Sequence, residues 1–185
     1  MQAVFLDRDG VINENIDKGY VTSWKEFKWL PGAIEGIRAL NERGWLVFII
    51  TNQACVGKNI LEREVLDDIH ERMQRDLQRN QASISQIYVC PHRPEAHCAC
   101  RKPRPGMLLQ AAREHRLRLH DCYVVGDSLT DMITAKEVKS YSILVRSGLG
   151  QRDEQQVRSL ELADHYCETV DEAVHHIIQK EEAVV

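Results

Sequence analysis

The sequence lacks several features, and each absence narrows the possible functions. It contains no run of about 18 consecutive apolar residues, so no segment is predicted to span a membrane. It has no basic excess, and its net charge of -4 argues against a surface that follows nucleic-acid phosphates. Internal repeats, low-complexity tracts and the GxxxxGK[ST] phosphate loop of P-loop kinases are also absent. A nucleotide-driven kinase of that type is therefore excluded.

The composition is that of an ordinary soluble globular protein, with 43% hydrophobic and 28% charged residues. We expect the 185 residues to form a single domain, residues 1–185, with a proper core. Acidic residues and Arg8 occur by position 9, which leaves no room for a signal peptide, so we expect a cytoplasmic protein. No heptad pattern or exposed apolar helix demands association, so a monomer is expected.

Apolar runs of strand length alternate with helical patterns along the chain. This alternation predicts an α/β fold with a mainly parallel central sheet covered on both faces. The segments between Asp7, Thr51 and Lys102 leave no space for a cap domain. The predicted strands are residues 3–6, 45–50, 87–89, 122–125, 142–145 and, more weakly, 164–167; the predicted helices are 31–44, 61–79, 105–115, 130–137 and 170–180.

Polar residues directly follow three of the predicted strands. Asp7 and Asp9 follow the first strand, Thr51-Asn52-Gln53 the second, and Gly126-Asp127-Ser128 the fourth, with Asp131 one turn later. Ligands of open α/β sheets bind outside the carboxyl ends of the strands, so we expect these groups to converge on one site. Helix capping is the alternative explanation for each group taken alone, for example with Ser128 or Asp127 as an N-cap.

These residue types are suited to phosphoryl transfer. Asp7, Asp9 and Asp127 offer hard oxygen ligands of the kind that Mg²⁺ prefers. The Thr51 hydroxyl can bind phosphate oxygens, and Lys102 is the candidate cation that spreads developing charge. A carboxylate beside a metal ion and a cation can attack phosphorus.

Three of the six cysteines lie within eleven residues, which suggests a metal site rather than disulfides. Cys90, Cys98 and Cys100 with one imidazole, His92 or His97, can form the closed Cys₃His arrangement of structural zinc. Free thiols in a polar loop are the alternative. Because Arg101 and Lys102 directly follow Cys100, we hypothesise that zinc fixes both cations over the phosphate site.

Taken together, these motifs resemble those of haloacid dehalogenase (HAD) superfamily phosphatases: Asp7-x-Asp9-Gly10, then Thr51, Lys102, and Gly126-Asp127 with Asp131. The segment from Cys90-Pro91-His92 to Cys98-Ala99-Cys100-Arg101-Lys102-Pro103 resembles the D-glycero-D-manno-heptose-1,7-bisphosphate 7-phosphatases and, more distantly, the histidinol-phosphate phosphatases. The resemblance implies a Rossmann-like three-layer sandwich without a cap domain and with a zinc-binding loop insertion at about residues 90–106.

The resemblance also implies a role for each matching residue. Asp7 would be the nucleophile and Asp9 the general acid and base, while Thr51 and Lys102 would stabilise the transferring phosphoryl group. Mg²⁺ would be bound by Asp7, by Asp9 through its backbone carbonyl, and by Asp127. His92 would be the nitrogen ligand of zinc. The implied substrate-binding residues are Asp17, Lys18, Gly19, Tyr20, Asn52, Gln53, Ala54 and Arg101.

The implied activity is Mg²⁺-dependent removal of the 7-phosphate of D-glycero-D-manno-heptose 1,7-bisphosphate through an aspartyl-phosphate intermediate. The partner would then be a small phosphorylated sugar, with no nucleic acid and no membrane. Histidinol phosphate or another small phosphorylated metabolite is the alternative substrate. A catalytically inactive binding module is a more distant alternative, and a nucleic-acid end-processing phosphatase is disfavoured by the acidic charge balance.

Overall fold

A parallel sheet of six strands organises this computed structural model, which describes residues 2–183. Residues 1, 184 and 185 of the expected domain lie outside the described residues. The sheet has the order β3-β2-β1-β4-β5-β6, and every pairing is parallel, which confirms the expected sheet. The strands are β1 (Ala3–Leu6), β2 (Leu46–Asn52), β3 (Gln86–Cys90), β4 (Tyr123–Gly126), β5 (Tyr141–Val145) and β6 (His165–Cys167).

Helices connect successive strands. They are α1 (Ala33–Glu42), α2 (Ala54–Gly57), α3 (Arg63–Arg79), α4 (Gly106–His115), α5 (Leu129–Glu137), α6 (Gly150–Ser159) and α7 (Val170–Glu182), with 3₁₀ turns at Pro94–Ala96 and Leu119–Asp121. No helix within the described range is both long and apolar enough to cross a membrane. Helix α6 was not predicted from the sequence, because it is strongly polar and buries only Gly150 and Val157.

Each face of the sheet carries its own apolar cluster, because alternate strand residues point to opposite faces. Val4 and Leu6 of β1 pack in a cluster that includes buried residues of α1, α3 and α7. Phe5 belongs to the opposite cluster, which includes residues of α4 and α5. The result is a three-layer sandwich of helices, sheet and helices, as the sequence predicts.

Residues 7–32 form an irregular loop between β1 and α1 rather than a cap domain. Isolated β-bridges join Asn13 to Asp9 and to Trp29. The Phe27 ring stacks on Trp24 at 5.0 Å between centroids and meets Trp29 edge-on at the same distance. These aromatic side chains therefore pack largely against one another and hold the loop on the sheet.

The strand order reverses beside β1, because the chain proceeds outward through β2 and β3 and then returns to β4 on the other side. The ends of β1 and β4 thus flank a crevice that no crossover connection covers. Such switch points are where open α/β sheets bind ligands. The sheet therefore places the residues after β1, β2 and β4 at the expected position for a site.

Neighbouring residues of α3 offer a matched test of the core. Leu66 is fully buried, whereas Val65 is 37% exposed. We expect Leu66→Ala to lower the free energy of unfolding by about 2–5 kcal/mol, because it removes buried methyl groups and leaves a cavity. Val65→Ala should change it by no more than about 0.5 kcal/mol. Urea denaturation of both variants measures the difference, and equal losses would contradict the packing of α3 described here.

Candidate active site

Residues that follow β1 and β4, and the last two residues of β2, line one cavity of about 280 Å³. The main chain leaves the sheet at Asp7, whose N–H still donates to the Val125 carbonyl at 3.0 Å. Asp7, Asp9, Thr51 and Asp127 all line this cavity, together with Lys102. The convergence expected from the three strand ends is therefore present.

Three carboxylates form a tight cluster at this cavity, which Asp7 and Asp127 line and behind which Asp131 is fully buried. One oxygen from each of Asp7, Asp127 and Asp131 lies within 4.8 Å of the others, and Asp127 and Asp131 are almost completely buried. Burial and the neighbouring carboxylates raise the pKa of Asp127 well above its usual value. Burial also raises the pKa of Asp7, to about 7, although Lys102 acts in the opposite direction. Such a cluster favours either protonation or a bound cation.

The donor set fits magnesium. Hard carboxylate oxygens in small numbers are typical of Mg²⁺ sites that share the ion with phosphate. Asp131 also pairs with Lys102 and accepts a hydrogen bond from the Ser128 hydroxyl at 2.6 Å, so its carboxylate is already held by protein groups. Asp7 and Asp127 are therefore the carboxylates best placed to act as ligands.

Two glycines make room for the Asp127 carboxylate. A Cβ at Gly10 or at Gly148 would lie 2.1 Å from Asp127 Oδ2, so a side chain at either position would collide with it. Both residues also adopt positive φ, +87° and +59°, which favours glycine. The Leu149 N–H donates to the same Oδ2 at 2.7 Å. Gly10 of the first motif thus shapes the site at Asp127 as well as the turn after Asp9.

Lys102 is buried with its ammonium group between two carboxylates. Its Nζ lies 2.8 Å from Asp7 Oδ1 and 2.6 Å from Asp131 Oδ1, and donates to the Ile50 carbonyl at 3.0 Å. Burial acts to lower the pKa of Lys102, but the two carboxylates outweigh it and raise the value. Lys102 therefore stays charged at neutral pH.

Asn52 fixes the main chain of Lys102. Its side-chain amide donates to the Lys102 carbonyl and accepts from the Lys102 N–H, each at 3.1 Å. This two-way pairing joins the end of β2 to the segment that follows the cysteine cluster. Asn52, expected to bind substrate, thus also has a positioning role.

Asp9 faces a different set of partners from Asp7. Its Oδ1 accepts from Arg8 Nη2 at 3.0 Å and from Asn13 Nδ2 at 2.9 Å, and its Oδ2 accepts from Gln53 Nε2 at 2.8 Å. Burial acts against ionisation, but Arg8 and these hydrogen bonds lower the pKa of Asp9. Its carboxylate lies outside the three-carboxylate cluster, so a magnesium ligand from Asp9 would be the main-chain carbonyl.

A buried pair behind Asp9 is absent from the sequence-based site. The Arg8 side chain is fully buried, and its Nη1 lies 2.9 Å from His70 Nε2 on α3. Burial and Arg8 lower the pKa of His70 to about 3, so the imidazole is neutral and accepts from Arg8. Two sequence signals indicate this pair. Arg8 is a charged residue between the two acids of the first motif, and His70 lies within the apolar stripe of α3.

The predicted substrate-binding residues are only partly brought together. Gly19, Tyr20 and Asn52 line the cavity. Gln53 is buried behind it and donates to Thr51 Oγ1 at 2.7 Å. Of the others, Ala54 is buried in α2, Asp17 and Lys18 are exposed, and Arg101 lines a neighbouring cavity of about 260 Å³. Ser128, from the group expected to converge on the site, also lines the cavity. The site residues predicted from the sequence did not include the lining residues Asn15, Val21, Thr130, Leu149, Arg152 and Asp153.

The cysteine cluster has the shape of a tetrahedral metal site. One donor atom from each of Cys90, His92, Cys98 and Cys100 lies within 4.8 Å of the others. The Cys98 Sγ lies 3.6 Å from Cys90 Sγ and 3.5 Å from Cys100 Sγ. Zn–S bonds of about 2.3 Å in a tetrahedron imply S···S separations of about 3.8 Å, so the cluster fits zinc. His92, and not His97, supplies the imidazole of the cluster.

Comparisons with known proteins point to one family. The HAD-hydrolase-like family model matches residues 99–173. The D-glycero-beta-D-manno-heptose-1,7-bisphosphate 7-phosphatase of Bordetella bronchiseptica is 37% identical over 152 residues, which cover 82% of this chain and 84% of that protein. The corresponding alpha-anomer enzyme of Mycobacterium bovis is 39% identical over 140 residues, covering 73% and 72%.

A solved structure supports the same relationship. The crystal structure of D,D-heptose 1,7-bisphosphate phosphatase from B. bronchiseptica, complexed with magnesium and phosphate, matches with a TM-score of 0.91 at 34% identity. The match covers 97% of this chain and 99% of that one. The similarity of fold thus extends over nearly the whole of both chains.

The cysteine cluster yields a test that separates its two candidate imidazoles. We expect His92→Ala to lose zinc during dialysis against a weak chelator, because only three ligands remain, while His97→Ala retains about one zinc per chain. Catalytic efficiency should fall in His92→Ala as well, since Cys100 directly precedes Arg101 and Lys102. Elemental analysis measures the zinc; loss from His97→Ala and retention in His92→Ala would refute the assignment.

The Arg8–His70 pair yields a second test, with His70 as a positioning residue. We expect His70→Leu to lower kcat by about one to two orders of magnitude with little change in KM, because Arg8 loses the acceptor that orients it towards Asp9. His70→Gln retains an acceptor and should restore most of kcat. His120→Leu, at a histidine 61% exposed, is the control. Equal kcat in the Leu and Gln variants would show that the acceptor does not matter.

Proposed function

Since this chain belongs to the HAD-like hydrolases and, within them, to the D-glycero-D-manno-heptose-1,7-bisphosphate 7-phosphatase family, we propose that it removes the 7-phosphate of D-glycero-D-manno-heptose 1,7-bisphosphate. Its relatives include enzymes named for the beta and for the alpha anomer. The proposal therefore concerns the reaction at C7, which both anomers share. The single observation that carries it is the cluster of Asp7, Asp127 and Asp131 beside Lys102 at the cavity.

Asp7 is the nucleophile in this proposal. Its Oδ1 accepts from the Arg8 N–H at 2.7 Å and faces Lys102 Nζ at 2.8 Å, whereas no donor from residues 2–183 is hydrogen-bonded to its Oδ2. Oδ2 is therefore the oxygen free to attack phosphorus. Attack forms the Asp7–phosphorus bond and breaks the bond between phosphorus and the sugar oxygen, which leaves an aspartyl-phosphate.

Asp9 acts first as the general acid and then as the general base. It donates a proton to the departing sugar oxygen, and then accepts one from the water whose oxygen attacks the aspartyl-phosphate and releases inorganic phosphate. Arg8, Asn13 and Gln53 hold its carboxylate in place and favour the ionised form in the free site. A phosphate dianion arriving nearby raises the pKa of Asp9 by repulsion between like charges, so the residue can carry the proton when the substrate is bound.

Two further groups support the transfer. Lys102 offsets the charge of Asp7 and Asp131, and it holds Asp7 in a fixed orientation. Thr51, almost completely buried, presents its hydroxyl at the cavity end of β2. Asp7, Asp127 and the Asp9 main-chain carbonyl would hold magnesium, which would supply positive charge to stabilise the transferring phosphoryl group.

The chemistry of the cysteines favours a cytoplasmic location. All six cysteines are free of disulfides, and four-coordinate zinc in the Cys90–Cys100 loop requires three of them as thiolates. A reducing compartment keeps such thiols available. The proposed substrate, a small doubly phosphorylated sugar, is a metabolite that such an enzyme meets in solution.

The nucleophile is tested by exchanging one carboxylate for an amide. We expect Asp7→Asn to lower kcat on the heptose bisphosphate by at least about three orders of magnitude, because an amide cannot form the aspartyl-phosphate. Asp67→Asn, an exposed residue of α3 paired with Arg63, is the matched control and should behave as wild type. Phosphate release with NMR identification of the remaining heptose 1-phosphate measures both rate and position.

Two outcomes would contradict the proposed function. The first is an Asp7→Asn variant as active as wild type, which would exclude Asp7 as nucleophile. The second is a higher kcat/KM for histidinol phosphate than for the heptose bisphosphate, which would assign a different substrate within the superfamily. We also expect the wild-type protein to lose activity in excess EDTA and to regain it when Mg²⁺ is added.

A further inference from the structure

The residues lining the cavity are rich in negative charge and poor in positive charge. The lining carboxylates are Asp7, Asp9, Asp127 and Asp153, whereas Lys102 and Arg152 are the lining cations. The Lys102 ammonium group is ion-paired with Asp7 and Asp131 and donates to the Ile50 carbonyl. Among the lining residues, Arg152 is therefore the cation that remains available to a ligand.

Arg152 is anchored on one edge and open on the other. Its Nε donates to Asp153 Oδ1 at 2.8 Å, and no residue in 2–183 accepts a hydrogen bond from its Nη1 or Nη2. The side chain is 67% exposed at the mouth of the cavity. Arg152 lines the same cavity as Asp7, Asp9 and Asp127, so its guanidinium faces the space in which a substrate would lie.

Asp153, which anchors Arg152, is itself held in place by the main chain. Its side chain is 15% exposed, and its Oδ2 accepts from the Leu129 N–H at 2.9 Å. This bond joins the first turn of α6 to the first turn of α5, directly after Asp127 and Ser128. The residue that holds Arg152 is thus tied to the segment that carries the carboxylate cluster. The free edge of the guanidinium can present two parallel N–H groups, the geometry that matches a phosphate.

The cations outside the cavity are less well placed. Arg101, which the family resemblance implies as a substrate-binding residue, donates to the His92 carbonyl at 3.4 Å and lines the neighbouring cavity with His97 and Cys98. Lys58 donates to the Tyr20 hydroxyl at 3.1 Å and is not a lining residue. Neither is among the residues that line the cavity containing Asp7.

We propose that Arg152 binds the anionic group that the substrate retains, so that it selects doubly phosphorylated sugars over singly phosphorylated ones. The inference rests on the proposed function, under which one phosphate reacts at Asp7 and the phosphate on C1 remains on the sugar. Asp7 and Lys102 serve the first phosphate, and Arg152 serves the second. Arg152 is in this sense a specificity residue and takes no part in the chemical step.

The test compares substrates with and without the second phosphate. We expect Arg152→Gln to lower kcat/KM for the heptose 1,7-bisphosphate about 10- to 100-fold, mainly through KM, and to lower it far less for the heptose 7-phosphate. Arg152→Lys keeps the charge but loses the planar guanidinium, so its kcat/KM for the bisphosphate should lie between those of the wild type and Arg152→Gln. Arg158→Gln removes a charge from the same helix, at a residue paired with Glu154, and should leave the preference unchanged.

Two results would overturn the assignment. One is an equal loss on both substrates in Arg152→Gln, which would make Arg152 a general structural or electrostatic residue. The other is a preference for the bisphosphate that persists in Arg152→Gln and disappears in Arg101→Gln. That result would mean that the second phosphate binds on the zinc-loop side of the site.

Failure of the proposed function is distinguishable from failure of this inference. If the wild-type protein does not hydrolyse the heptose bisphosphate, the function falls, and Arg152 is then judged with p-nitrophenyl phosphate as substrate and hexose phosphates as inhibitors. The inference predicts that a hexose bisphosphate inhibits wild type more strongly than the monophosphate, and that Arg152→Gln removes most of this difference. An undiminished difference in the variant would refute it.

Discussion

Three carboxylates cluster beside a single lysine, and the rest of the site follows from that imbalance of charge. Asp7, Asp127 and Asp131 would together bring three negative charges into a space where Lys102 supplies one positive charge. At an effective dielectric constant of about 20, two like charges about 4 Å apart repel by about 4 kcal/mol. The cluster must therefore bind protons or a second cation, and the raised pKa values of Asp7 and Asp127 express this demand. In the proposed reaction, a magnesium ion would supply the second cation, and it would also bind the phosphate ester that Asp7 attacks.

The fold gathers these groups from distant parts of the chain. The parallel sheet brings Asp7, Thr51 and Asp127 to one edge, because the carboxyl ends of β1, β2 and β4 lie side by side. Asp131 comes from the first turn of α5, where a capping box with Ser128 fixes it. Lys102 comes from the end of the cysteine loop, and Asn52 pairs with its main chain. The zinc-binding geometry of that loop thus bears on the position of the Lys102 ammonium group.

The sequence reveals the strands and their polar ends because both are local signals. An apolar run that stops at Asp7, or at Gly126-Asp127, marks a strand end whatever the rest of the chain does, and the parallel sheet follows from the alternation of elements. Helix α6 gives no such signal, because it buries only two residues and its sequence is polar. The Arg8–His70 pair and Arg152 depend on contacts between elements far apart in sequence, and periodicity carries no information about those. The exposure of Asp17 and Lys18 is likewise a property of how the loop 7–32 packs.

The central claim is that Asp7 and Asp127 together bind a divalent cation. Calorimetric titration of Mg²⁺ into wild type, Asp127→Asn and the control Asp121→Asn, an exposed residue paired with Arg118, tests it without reference to turnover. The account predicts one site in wild type and in the control, and at least about tenfold weaker binding in Asp127→Asn, because an amide oxygen carries no charge to offset the ion. Equal Mg²⁺ affinity in all three proteins would contradict it.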